Sequence, residues 1–132
     1  MSGETDLGKI LDGLSLSRRD GVFVFVTIPP GTPLPDLPLS AMGAEVHGTT
    51  IVVKGHLALT ADLDYEFEAA WLTIDTHTSL SSVGLTASVA TALAMRSIPV
   101  NVIAGFHHDH LLVPADMAED AIAAIDRIRQ QR

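Results

Sequence analysis

The sequence predicts an α+β fold in which helices cover one face of a mostly antiparallel sheet. Two observations lead to this prediction. Short β-branched runs dominate the first part of the chain, and from residue 67 onwards the order is strand, helix, strand, strand, helix. The composition supports an ordinary globular core, because 47% of the 132 residues are hydrophobic and only 18% are charged.

The first part of the chain predicts a short helix and three strands. Apolar residues recur at helical spacing over residues 4–13, and Gly13 supplies an end signal. The run VFVFVTI, residues 22–28, has no polar alternation and predicts a strand that is buried on both faces or central. A proline-rich loop follows it. Residues 44–55 predict a hairpin that turns at Gly48 or just after it, and HLALTADLD predicts one helical turn.

The second part begins with a predicted strand over residues 67–77. Trp71 and Thr73 share one of its faces and the intervening aliphatic residues share the other, because side chains alternate along a strand. We expect Trp71 to belong to the core. A serine-rich loop follows, and its serines are candidate N-caps for a helix over residues 83–96 with an apolar stripe.

Two strands and a helix complete the predicted order. Residues 99–105 predict a strand that begins at Pro99, since proline is tolerated at the first position of a strand. Residues 107–114 predict the next strand, and the two are expected to form a hairpin around Gly105. Asp116 is the expected start of the last helix, because Glu119 follows three residues later in a variant of the capping box.

The charge and the residue inventory exclude several classes of protein. The net charge is −8 and the eight Lys and Arg residues are spread thinly, so we expect neither nucleic acid nor anionic membranes as partners. Without cysteine there is no disulfide, thiolate zinc site or cysteine nucleophile. The first residues lack the pattern of a signal peptide, and the apolar runs are too short to span a bilayer. We therefore expect a soluble, cytoplasmic protein.

The stretch NVIAGFHHDH, residues 101–110, carries three of the six histidines. On a strand, His108 and His110 would share one face, and His107 and Asp109 the other. Three interpretations stay open: an incomplete metal site, a pH-sensitive interface, and the structural rim of a hairpin. A metal site would need a third ligand, either a carboxylate or one of the remaining histidines: His47, His56 or His77.

The stretch SLSSVGLTASVATALAMRSIPVNVIAGFHHDHLLVP resembles the signature of small, free-standing bacterial ACT-domain proteins. These are distant relatives of the ACT domains in cytosolic arginine sensors. The shared pattern is a serine-leucine turn, VGLTA, an alanine-rich helix, I-x-x-N-V-I-A-G, an aromatic residue and HDH. The first half, with VFVFVTI and TTIVV, resembles the family more loosely. His107 departs from the pattern, which has an aromatic residue there, so it is the least expected of the three histidines in a shared site.

The resemblance implies a double ACT-like fold, in which each half is a ferredoxin-like variant with an antiparallel sheet. We expect the halves to be residues 1–66 and 67–132, as a degenerate duplication. ACT domains generally bind small effectors, most often amino acids, at interfaces between domains or subunits, and usually regulate an attached enzyme. Because this chain has no room for an attached enzyme, the target of any regulation is open.

The start of the predicted helix is where an amino acid is expected to bind. Its free backbone amides would hold a carboxylate, and Gly84 would let a ligand approach closely. Asp75, Asp109 and the strand edge at residues 101–104 are candidate partners for the ammonium. Alternatively, Gly84 only permits tight packing. The predicted ligand-binding residues are Ser79, Val83, Gly84, Leu85, Thr86, Asn101, Val102, Ile103, Ala104, His108 and Asp109.

These observations predict a homodimeric regulatory module that binds an amino acid or a similar small metabolite. We expect no catalytic residue and no cofactor, since neither a triad pattern nor a phosphate-binding loop is present. One alternative is a homo-oligomeric interaction protein that associates through an open β edge and binds no small ligand. A second is a metal-binding protein, or a metal-dependent hydrolase, that uses His108 and His110.

Overall fold

The computed structural model describes residues 6–76 and 79–130. Its elements in chain order are α1 (Leu7–Asp12), β1 (Leu16–Arg18), β2 (Phe23–Ile28), β3 (Ala41–Glu45), β4 (Gly48–Lys54), α2 (Gly55–Thr60), β5 (Glu66–Ile74), α3 (Leu85–Ala94), β6 (Asn101–Ala104), β7 (Asp109–Pro114) and α4 (Ala118–Gln130), with a 3₁₀ turn over Ala115–Met117. None of the helices in these described ranges is long and apolar enough to cross a membrane.

Contacts divide the chain into two compact units. Residues 1–19 and 70–132 form the discontinuous unit, and residues 20–69 form the inserted unit. Strand β5 has residues in both units, because it runs across the division at residue 69. This division differs from the sequence-based halves, in which the first 66 residues stand together.

The inserted unit is a small antiparallel sheet with one short helix. Its strand order is β3, β4, β2 and the first residues of β5, and each neighbouring pair is antiparallel. Strand β2 is therefore central, as predicted, because it pairs on both sides. Val24, Val26 and Ile28 pack with aliphatic residues of β4 and with Ala58 of α2. The intervening residues of β2 lie on the opposite face of the sheet.

The discontinuous unit has the strand order β1, β5, β7 and β6. Helices α1, α3 and α4 all contribute to one core, where they meet Leu72 and Ile74 of β5 and Leu111 and Val113 of β7. The prediction of an α+β fold with helices on one face of an antiparallel sheet is confirmed. Trp71 alternates with these residues and is only 1% exposed, so its predicted place in the core is also confirmed.

Strand β1 was not predicted from the sequence. It has three residues, and it pairs with the far end of β5, with Leu16 opposite Ile74 and Arg18 opposite Leu72. Its partner is remote along the chain, so no local pattern marks it. By this pairing β1 adds a fourth strand to the β-α-β-β-α series that begins at β5.

Predicted strand boundaries need correction in several places. Strand β5 ends at Ile74, before the predicted end at residue 77, and β6 begins at Asn101 rather than at Pro99. The first hairpin turns before Gly48, because Gly48 already pairs with Glu45 at the start of β4. Strand β7 begins at Asp109, so the prediction of a strand over residues 107–114 is too long. The first two histidines of HHDH lie in the turn that precedes this strand.

The predicted helix starts also need correction. Helix α3 is shorter than the predicted span of residues 83–96, and its N-cap is Gly84 rather than a serine. Helix α4 begins at Ala118, because Asp116 belongs to the preceding 3₁₀ turn. Such turns are frequent at helix ends, where the tighter winding satisfies terminal groups.

Candidate functional site

A cavity of about 190 Å³ lies at the start of α3, within the discontinuous unit. It joins three segments: the serine-rich loop, the first turn of α3 and the turn between β6 and β7. Its lining residues are Ser79, Leu80, Ser82, Gly84, Leu85, Thr86, Ala104, Gly105 and Asp109.

The first turn of α3 lines this cavity with Gly84, Leu85 and Thr86. The first bond within the helix runs from the amide of Ser88 to the carbonyl of Gly84, at 2.9 Å. The three amides that precede Ser88 therefore have no partner within the helix. Gly84 has no side chain that could cap them. Such a helix start favours an anionic group, because the amides and the helix dipole both present positive charge.

Glycine at position 84 is favoured by the backbone conformation of the helix start, and α1 packs closely against it. Its φ of 99° lies in the left-handed region, and a Cβ there would meet Cδ2 of Leu7 at 2.8 Å. The open direction at this glycine is thus filled by a side chain of α1. This contact supports the interpretation that Gly84 permits tight packing, whereas close approach of a ligand stays a prediction.

The serine-rich loop forms a local turn on one side of the cavity. The amide of Ser82 donates to the carbonyl of Ser79 at 3.0 Å, and the amide of Ser81 donates to the Ser79 hydroxyl at 3.1 Å. The Ser79 side chain therefore orders the loop instead of capping α3. Its hydroxyl can still donate to a ligand, because a hydroxyl both accepts and donates.

The turn between β6 and β7 is closed by Gly105, whose amide donates to the carbonyl of His108 at 2.9 Å. A Cβ at Gly105 would lie 2.8 Å from that same oxygen, so the turn is built for glycine. Phe106 at the tip is 64% exposed and meets the ring of His107 edge-on, with 5.0 Å between the ring centroids.

His110 points to the face of the sheet opposite the helices, where it contacts Trp71 and Thr73. The indole Nε1 of Trp71 donates to Nδ1 of His110 at 3.2 Å, and the Thr73 hydroxyl lies 3.0 Å from the same nitrogen. Because an indole N–H can only donate, Nδ1 is the acceptor and a neutral ring carries its proton on Nε2. Burial lowers the pKa of His110, and the charges of Arg19 and His108 lower it further, while Asp109 opposes the shift.

Asp109 is the carboxylate that lines the cavity, and it is half-buried. Burial raises the pKa of Asp109, whereas the charges of His110 and His108 lower it. A cation bound beside it would stabilise the ionised form, because an opposite charge nearby favours ionisation. The cavity thus combines a helix start that suits an anion with a carboxylate that suits a cation.

No metal site is present among residues 6–76 and 79–130, since no three His, Asp or Glu side chains there lie close enough to share an ion. Of the third ligands considered, His47 and His56 belong to the inserted unit, and His77 lies outside the described residues. His110 directs its Nδ1 at Trp71 and Thr73 instead. The geometry in the described ranges therefore favours the structural interpretation of HHDH.

Family models match both parts of the chain. One ACT-domain model matches residues 2–70, and another matches residues 66–127. The chain belongs to the ACT-domain family. The resemblance inferred from the serine-leucine turn, VGLTA and HDH is confirmed. The models overlap at residues 66–70, near the predicted division after residue 66, but contacts group residues 1–19 with residues 70–132, so that division stays a prediction.

Several solved structures are similar to this chain over most of its length. VC0802 from Vibrio cholerae, a protein of unknown function described as a possible transport protein, is 33% identical, with a TM-score of 0.84 over 96% of this chain and 98% of its own. Atu0741 from Agrobacterium tumefaciens is 16% identical, with a TM-score of 0.72 over 88% and 89% of the two chains.

The regulatory subunit of aspartate kinase from Thermus flavus is also 16% identical, with a TM-score of 0.59 over 88% of this chain and 96% of its own. At this identity the likeness shows a shared fold alone. None of the curated proteins is significantly similar to this chain in sequence.

The predicted ligand-binding residues divide into those that line the cavity at α3 and those that do not. The predicted residues that line it are Ser79, Gly84, Leu85, Thr86, Ala104 and Asp109. The predicted residues outside the lining are Val83, Asn101, Val102, Ile103 and His108. Val83 is 80% exposed, and the first three residues of β6 lie further along the strand from the turn. Which of these residues bind a ligand stays a prediction.

Sequence reasoning missed three lining residues: Leu80, Ser82 and Gly105. Each is adjacent to a predicted residue, so including the neighbours of the motif residues would have found all three. Gly105 closes the IAG segment of the motif, and its tight contact with the His108 carbonyl is visible only in the folded turn.

Proposed function

We propose that this ACT protein is a regulatory module that binds an amino acid, or a similar small metabolite, at the start of α3 and catalyses no reaction. The observation that carries the proposal is the pairing, in one cavity, of the uncapped α3 amides with the carboxylate of Asp109. An α-amino acid needs an anion site and a cation site within a short distance of each other. The amides suit its carboxylate, and Asp109 suits its ammonium.

The size of the cavity supports a small ligand. At about 190 Å³ it is smaller than the cavities of ~300–1,000 Å³ that hold drug-sized molecules. Ser79 and Ser82 supply hydroxyls at the edge, and Leu80 and Leu85 supply apolar surface. Support for a regulatory role comes from the similar Thermus flavus protein, which is the regulatory subunit of an enzyme.

The test is a thermal-shift screen of the purified protein against the twenty amino acids, each at the same concentration. We expect one chemical class to stabilise the protein, because a ligand at a hundred times its Kd stabilises the native state by about 2.7 kcal/mol. The absence of a shift with every amino acid would contradict the proposal.

The Asp109→Asn variant identifies the site. Loss of a charged hydrogen-bond partner costs about 1.5–3 kcal/mol, so we expect at least a tenfold weaker affinity for the amino acid found in the screen. Asp36→Asn is the matched control, because Asp36 is an exposed carboxylate of the inserted unit. Equal affinities of the two variants would mean that the ligand binds elsewhere.

A second candidate function is self-association through β6, which would give the expected homodimer. Strand β6 is the last strand in its sheet order, and Val102 on it is 37% exposed. An edge strand with free amides and carbonyls can pair with a second copy. Sedimentation of the protein at several concentrations tests this idea, with Val102→Lys as the variant expected to favour the monomer. A monomeric wild type at all concentrations would exclude it.

A further inference from the structure

We propose that the inserted unit carries a second binding site, which takes a small organic cation with a guanidinium or ammonium head. The site is a cavity of about 400 Å³, within the range of small-molecule sites. Its lining residues include two aromatic residues, Phe25 and Tyr65, and two acidic residues, Asp64 and Glu66. It shares no residue with the cavity at α3, and the inference does not rest on the proposed function.

One wall of this cavity is the helix-free face of the sheet in the inserted unit. Phe25 and Thr27 alternate with the core residues of β2 and so lie on that face. Thr27 is opposite Thr50 of β4, and Phe25 is opposite Glu66 of β5. Neighbouring strands thus bring an aromatic ring, two hydroxyls and a carboxylate to one place.

The segment Asp64–Glu66 forms the other wall and is held at both ends. Before it, Leu63 donates to the carbonyl of Ala58 at 2.9 Å, and Asp62 donates to the carbonyl of Leu59 at 3.1 Å. These two bonds form a Schellman motif, with Asp62 in the left-handed conformation at a φ of 57°. The turn therefore delivers the segment to the sheet in a defined position.

After the segment, a β-bulge redirects the chain. The register between β2 and β5 shifts between the pairs Phe23–Ala69 and Phe25–Glu66. Phe67, within the bulge, has a φ of 60° and packs edge-on against Phe25, with 5.8 Å between the ring centroids. Bulges of this kind re-aim side chains and are common beside functional sites.

The charge of the inserted unit selects cations. Residues 20–69 contain seven Asp and Glu residues and a single lysine, Lys54, so the unit carries −6 of the total charge of −8 (1 − 7 = −6). Near the cavity, Glu45 accepts a hydrogen bond from the Thr50 hydroxyl, which adds a third carboxylate to this region. An acidic surface concentrates cations at its mouth.

The wall chemistry defines the head group. Carboxylates accept the N–H donors of a guanidinium or ammonium, and aromatic faces attract the same cations through their quadrupoles. The apolar wall from Phe25 and Tyr65 suits a short alkyl body attached to the head group. The rings supply no oxygen ligands for a metal ion, but they can pack against the head group and alkyl body of an organic cation, so the geometry points to an organic cation.

The chain has one tyrosine, Tyr65, and it lines this cavity, which gives a site-specific reporter. The protein is labelled with 3-fluorotyrosine and titrated with n-butylguanidinium while its fluorine-19 resonance is followed. The neutral control ligand is n-butylurea, which has nearly the same shape. We expect a saturable shift with n-butylguanidinium, weakened by sodium chloride, and no saturable shift with n-butylurea.

Two variants locate the charges. We expect the double variant Asp64→Asn/Glu66→Gln to weaken n-butylguanidinium binding by roughly tenfold at low salt, because each exposed ion pair contributes only modestly. Glu68→Gln is the matched control, since Glu68 lies on the same strand but outside the lining, and we expect less than a twofold change. Circular dichroism melts verify that both variants are folded.

Three results would overturn the inference. The first is no saturable shift with n-butylguanidinium, and the second is equal binding of n-butylurea. The third is equal weakening of binding by Glu68→Gln, which would mean that the negative charge of the whole surface attracts the cation without a specific site. Because the wild-type titrations with the two ligands stand on their own, the inference remains testable even where the double variant does not fold. Asp109→Asn should leave the fluorine titration unchanged, which separates this site from the cavity at α3.

Discussion

Gly105→Ala tests the account of the turn between β6 and β7. A Cβ at this position would lie 2.8 Å from the His108 carbonyl oxygen and 3.3 Å from Nε2 of His110. Ordinary contact begins at 3.4 Å, so the carbonyl must retreat by about 0.6 Å (3.4 − 2.8). That carbonyl also accepts the Gly105 amide at 2.9 Å, so the movement stretches the bond that closes the turn.

The expected cost follows from two opposing effects. Overpacking that forces the backbone to shift costs about 1–3 kcal/mol. Replacing glycine by alanine also restricts the unfolded chain, which stabilises the folded protein by about 0.4–1 kcal/mol. We therefore expect Gly105→Ala to lower the free energy of unfolding by about 1–2 kcal/mol. We also expect weaker binding of any ligand at α3, because Gly105 lines that cavity.

Urea unfolding followed by tryptophan fluorescence measures the effect. Trp71 is the only tryptophan, and its indole donates to His110, so the native emission also reports a displaced His110. The control is Gly43→Ala, since Gly43 lies on an exposed strand and a Cβ there meets no atom within 4 Å. We expect the control to stay within about 0.5 kcal/mol of wild type. Equal stability of the two variants would refute the packing argument.

Two further predictions concern stability. Because the pKa of His110 is lowered in the folded protein, the unfolded state binds more protons near and below pH 6.5. The free energy of unfolding of the wild type should therefore rise with pH through this window. In urea unfolding, a His110→Gln variant should show a flatter dependence of this free energy on pH. Asp109 acts in the opposite direction at lower pH, because its pKa is raised. An unchanged slope would contradict this reasoning. Ile125→Ala should cost about 2–5 kcal/mol because Ile125 is fully buried, whereas Leu59→Ala, at a position 70% exposed, should cost less than about 0.5 kcal/mol; similar losses would count against the assigned core.

Local patterns were sufficient wherever an element is stabilised by its own residues. The alternation on β5 placed Trp71 and Thr73 on one face, and Gly13 does end α1. The run of β-branched and aromatic residues in β2 predicted a central strand, and β2 does pair with β4 on one side and with β5 on the other. The same local motif, VGLTA to HDH, was enough to recognise the ACT family.

Local patterns failed where a distant segment decides the structure. Strand β1 has no amphipathic period of its own and forms only because β5 offers it hydrogen bonds. A serine looked like the better N-cap by propensity, but the Ser79 hydroxyl is used inside its own loop and Gly84 occupies the cap. Six of the predicted residues line the cavity at α3, whereas Leu80, Ser82 and Gly105 were not predicted.

The sequence by itself determined the α+β class, the family, the acidic charge and the absence of cysteine chemistry, because these depend on composition and on patterns a few residues long. Tertiary structure decided which residues share a cavity. It brought Asp109 to the start of α3, directed His110 at Trp71 instead of a metal, and placed Phe25 beside Glu66 through a bulge. Each of these outcomes depends on register and packing between strands, and that information exists only once the strands have paired.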